Sequence, residues 1–90
     1  MGGVAVQGNS ITGRLTGAYR AGHPVGLYPG WRLSFDFNED VIAALKAAVP
    51  AIDRSYDPET HEWWVSEQHE GAVLLLFPGF AGYLAQLPLL

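Results

Sequence analysis

The segment Trp31-Arg32-Leu33-Ser34-Phe35-Asp36-Phe37, running straight into Asn38-Glu39-Asp40, constrains the fold more than any other part of the chain. Trp31, Leu33, Phe35 and Phe37 alternate with Arg32, Ser34 and Asp36, and a period of two with aromatics on one face predicts a half-buried strand. Asn38 is suited to cap a helix, because its side chain can accept from the free N–H groups of the first turn. Glu39 and Asp40 set negative charge at the positive end of the helix dipole. Val41, Ile42, Leu45, Ala48 and Val49 then form an apolar stripe at helical spacing, with Lys46 on the opposite flank. Pro50 ends this helix at or just before Val49.

Downstream, Ile52–Tyr56 and Glu62–Val65 flank Asp57-Pro58-Glu59-Thr60. Asp at the first position and Pro at the second suit a type I turn, since Pro presets φ near about −65°. An antiparallel hairpin is expected, with Trp63 and Val65 on one face and Trp64 on the other. Ser66 can cap a second helix from Glu67 to Phe77, stopped by Pro78-Gly79. Val73 to Phe77 are apolar on nearly all sides, so that helix should be buried or lie against a partner. Phe80–Leu90, broken by Gly82 and Pro88, reads as a short helical segment. The expected class is therefore α+β: a small antiparallel sheet of three to four strands with two helices packed on one face.

Residues 1–30 form a separate N-terminal hairpin or arm in this reading, and residues 31–90 the α+β module. Val4–Gln7 and Ser10–Leu15 resemble two short strands joined by Gly8-Asn9, both of which tolerate positive φ. Gly22-His23-Pro24 and Tyr28-Pro29-Gly30 punctuate a loop.

Composition limits the function classes. The chain has 90 residues, enough for one small core, and no cysteine, which excludes a disulfide framework and a thiolate metal site. Nearly half of it is apolar and only 16% charged, against disorder. No apolar run approaches the ~20 residues that span a bilayer. The N-terminus lacks a signal-peptide layout, and Val6 stands where myristoylation needs Ser or Thr. A soluble, cytoplasmic protein is expected. The net charge of −4 and the scattering of Arg14, Arg20, Arg32, Lys46 and Arg54 argue against a broad phosphate-binding face.

Arg32-Leu33-Ser34-Phe35, then Val41-Ile42 with Leu45-Lys46, then Tyr56-Asp57-Pro58-Glu59-Thr60-His61-Glu62-Trp63 together resemble the HARP (HepA-related protein) domain of Swi/Snf-type annealing helicases. The likeness covers roughly half the chain, and its most specific part is the Tyr-Asp to Trp spacing. It implies a small α+β fold and a DNA-binding role at single strands or branched junctions. The chain departs from the family in its turn, where Glu59, His61 and Glu62 stand in place of basic residues. No helicase motor is present, so strand annealing is not expected of the chain itself.

The candidate nucleic-acid contacts are Arg32, Lys46, Arg54 and Trp64. Three cations converging near the hairpin could hold phosphates without reading sequence; as ordinary surface charge, Arg54 would pair with Asp53 or Asp57. Trp64, on the face opposite Trp63, could stack on an unpaired base or pack under the N-terminal hairpin. Tyr56 and Trp63 read as core aromatics. His61, Glu62, Glu67, His69 and Glu70 match no metal-site signature, and neither a metal nor a cofactor is expected. No nucleophile elbow, P-loop or dinucleotide fingerprint occurs, so no catalytic residue is assigned and no enzyme is expected. The leading expectation is an accessory module for single-stranded or branched DNA. The alternative is a protein-interaction or self-association module using the apolar C-terminal half, from Leu74–Phe77 through Phe80, Tyr83, Leu84 and Leu87 to Leu89 and Leu90.

Overall fold

The computed structural model of the chain describes residues 11–86. Four strands, β1 (Leu15–Gly22), β2 (Pro29–Phe35), β3 (Arg54–Asp57) and β4 (Glu62–Ser66), form one antiparallel sheet in the order β1-β2-β4-β3. Three helices complete it: α1 (Glu39–Ala48), α2 (Glu70–Leu76) and α3 (Phe80–Ala85). The class is α+β. No helix among the described residues is long and apolar enough to cross a membrane.

The alternation in β2 works as its sequence suggests. Trp31 and Leu33 point into a core shared with Trp63 and Val65 of β4, with Val41, Leu45 and Val49 around α1, and with Val73, Leu76, Phe77 and Phe80 from the C-terminal helices. All three helices thus cover one face of the sheet. Asn38 caps α1, its Oδ1 accepting from the N–H groups of Asp40 (2.8 Å) and Val41 (3.2 Å). Burial of these large side chains, at about 1.5–3 kcal/mol each, is what ties the sheet to the helices.

Several boundaries differ from the sequence reading, each for a local reason. The first described strand is not Ser10–Leu15: residues 11–14 lie outside any strand, and β1 begins at Leu15. Gly13 instead docks on the helices, its N–H donating to the Leu76 carbonyl at 2.8 Å, with the Phe77 ring where a Cβ would stand. Pro29 and Gly30 are not loop residues but open β2, Pro being tolerated at the first position of a strand. β1 is hydrogen-bonded along β2 from Leu15–Phe35 to Gly22–Pro29, so the strand boundary at residue 31 falls inside β2. The expected strand Val4–Gln7 and its Gly8-Asn9 turn lie outside the described residues, as do residues 87–90.

In the second half, Ile52 is not in a strand; Ala51–Asp53 make a 3₁₀ turn before β3. The Ser66 hydroxyl accepts from the Gln68 N–H, but the turn it caps, Glu67–His69, is 3₁₀, and the α-helix starts at Glu70. The β3–β4 connection is also wider than a type I turn alone. Asp57 Oδ1 accepts from Glu59 N (2.9 Å) and Thr60 N (3.4 Å), and the loop closes when His61 N donates to the Asp57 carbonyl at 2.8 Å. His61 sits in the left-handed region, φ 59°.

Candidate functional site

The sheet sorts the candidate residues onto two faces. Arg32 lies between Trp31 and Leu33 and therefore points away from the helices. There its Nε donates to Glu62 Oε1 and its Nη2 to Asp57 Oδ2, both at 2.8 Å, with Thr60 Oγ1 at 3.0 Å. The guanidinium holds both carboxyls below the usual carboxylate range, and the two carboxylates raise the arginine in turn. Tyr19 donates its hydroxyl to the same Glu62 Oε1 at 3.0 Å. Arg32 is committed to the hairpin turn.

Trp64 shares that face and is 2% exposed. Its Nε1 donates to the Ala21 carbonyl at 2.9 Å, and the His23 ring meets it edge-on at 4.7 Å. Gly30 leaves room for it, since a Cβ there would stand 2.7 Å from the indole. Of the two roles open to Trp64, packing is the one its surroundings favour: β1 and the loop after it cover the ring.

The other two cations meet on the helix side. Lys46, in the last turn of α1, and Arg54, at the start of β3, line one open groove of about 560 Å³ with Trp63. Lys46 Nζ lies 5.9 Å from the centre of the Trp63 ring. Arg54 pairs with neither Asp53 nor Asp57; its Nε donates to the Val49 carbonyl at 2.9 Å. That carbonyl is one of those a helix end leaves without an internal partner, so α1 and β3 are joined where the cation is needed. Ile42 and Phe35 give the groove its apolar floor, and Phe37, Tyr56 and His61 its rim. Phe37, two residues beyond the end of β2, is 77% exposed, and Tyr56 is 43% exposed. The Tyr56 ring packs on Trp63 at 4.9 Å, and its hydroxyl contacts His61 Nδ1 at 3.2 Å.

The pairing of its cations separates this groove from the rest of the described surface. Arg14 pairs with Asp36, Arg20 with Glu67 and Glu70, and Arg32 with Asp57 and Glu62. Lys46 and Arg54 have no carboxylate partner among the described residues, and both stand in the groove.

The acidic, histidine-containing segment disperses instead of converging. Glu62 goes to Arg32, Glu67 and Glu70 go to Arg20, His69 pairs with Asp53 at 2.8 Å, and His61 faces Tyr56. Phe37, Tyr56 and His61 are not among the contacts expected from the sequence. Tyr56 carried a signal, for it stands two residues after Arg54 on one short strand and so shares its face. Comparisons with family models, with curated proteins and with solved structures give no match.

Proposed function

We propose that the chain is an accessory module of the cytoplasm that binds single-stranded nucleic acid, including the unpaired arms of branched DNA, without catalysing a reaction. The observation that carries this reading is the pairing pattern: the two cations without carboxylate partners among the described residues face the same aromatic-rimmed groove. Two cations hold backbone phosphates, while Tyr56 and Phe37 offer ring faces to an unstacked base. A duplex, whose bases are stacked inward, leaves those rings unused. The resemblance to HARP domains, which rests partly on Tyr56 and Trp63, points to the same ligand class. The contacts in this reading are Lys46, Arg54, Tyr56 and Phe37, whereas Arg32 and Trp64 hold the fold.

Fluorescence anisotropy with oligo(dT) and with forked DNA tests it. Two phosphate contacts on a single strand predict a log–log salt slope near about −1.4. Lys46→Ala and Arg54→Ala should each weaken binding and flatten that slope, and Tyr56→Ala should cost about 1–3 kcal/mol of affinity. No binding at low salt, or binding indifferent to both cation substitutions, would sink the reading.

A second reading, association with a protein or another copy, rests on exposed apolar residues. Among the described residues of the C-terminal half, Leu76, Phe77 and Phe80 are buried in the core, whereas Leu74 and Leu75 are exposed, Leu75 to 81%. The β1–β2 loop adds Val25, Tyr28 and Leu27, the last 98% exposed. Light scattering at high concentration separates the two readings, self-association requiring a mass above that of one chain.

A further inference from the structure

The chain has three histidines, and two are absorbed by the fold. His23 Nδ1 accepts from the Val25 N–H at 3.0 Å while its ring packs on Trp64, and His69 pairs with Asp53. His61 differs. It is exposed, it lines the groove with Lys46 and Arg54, and among the described residues its ring is hydrogen-bonded to the Tyr56 hydroxyl alone. Its backbone occupies the left-handed region, where glycine would be free of the steric strain that a Cβ meets, so the turn carries an imidazole at a position that favours glycine.

Resting on the single-strand reading of the groove, we infer that protonated His61 is a third phosphate-contacting side chain, which tightens the groove's hold below neutral pH. Histidine is the residue whose charge ordinarily changes between about pH 5 and 8. Lys46 of α1 and Arg54 and Tyr56 of β3 line the groove with it, and Asp57, Glu59 and Glu62 are its titratable neighbours along the turn. Asp57 and Glu62 are engaged by Arg32, and Glu59 has no cationic partner among the described residues. A phosphate seated between Lys46 and Arg54 favours a cationic imidazole beside it, so binding and proton uptake reinforce each other.

Oligo(dT) is the probe, because thymine bases do not titrate in this range, and its affinity is measured by anisotropy at about pH 8 and about pH 5.5 over a salt series. The wild-type chain should bind about two- to fivefold more tightly at the lower pH. Its salt slope should steepen there by about 0.7, the mark of one more phosphate contact on a single strand. In His61→Asn and His61→Gly, both compatible with a left-handed backbone, the ratio of the two affinities should fall to about one. Equal wild-type affinity at the two pH values, or a gain that survives in both variants, overturns the inference. Absence of oligo(dT) binding at either pH overturns the groove reading itself, and the inference with it.

Discussion

Trp64 and Gly30 depend on one another at the scale of single residues. The indole fills the space above Gly30, and a methyl group there would run into both the indole and the Val65 carbonyl oxygen. Neither neighbour is a flexible chain end, so Gly30→Ala forces the strands or the ring to move. A loss of about 1–3 kcal/mol is expected, read from urea denaturation. A change within about 0.5 kcal/mol, the range of ordinary surface substitutions, would show that the contact gives way freely. The face on which Trp64 stands was legible from alternation alone. Its cover was not, because Ala21 and His23 lie about forty positions away and reach it only once β1 has paired with β2.

Among the elements, the β3–β4 hairpin shows how a strong local signal carries part of the geometry. Asp57-Pro58 announced the turn, and Asp57 does organise it through its side chain. What local chemistry could not supply was Arg32, brought in from β2 to bridge Asp57 and Glu62 across the hairpin mouth. Both carboxyls are held below their ordinary range in the folded chain. Groups depressed in this way contribute stability that is fully present above the unfolded carboxylate range, about 3.9–4.3, and is lost as pH falls through and below it. Thermal unfolding followed from about pH 7 to about pH 2 should therefore show stability falling on the acid side. In Arg32→Gln that fall should be shallower and the neutral-pH stability lower. An identical acid slope in the variant would mean that Arg32 does not set these carboxyls. The C-terminal helices were legible as apolar and buried, but the 3₁₀ turn Glu67–His69 was not, since Ser66 caps either kind of turn equally well.

At the scale of the whole molecule, the sheet divides the chain's charges between two jobs. The face away from the helices holds Arg32 in a closed carboxylate network, and the helix side leaves Lys46 and Arg54 open in the groove. From sequence the three cations form one group near the hairpin; strand alternation in β2 removes Arg32 from it. The groove itself was not legible, because it needs the end of α1, the start of β3 and the residues just past β2 at once. A net charge of −4 obscures it further, as the acidic residues that set that sum are largely engaged elsewhere. The most direct test of the groove as the binding site uses the three tryptophans as reporters in an NMR titration with oligo(dT). Binding in the groove should shift the Trp63 indole resonance together with Tyr56 and Lys46, while the Trp64 indole, covered on the opposite face, stays in place. Shifts centred on Trp64 and Arg32, or none at saturating oligonucleotide, would contradict it.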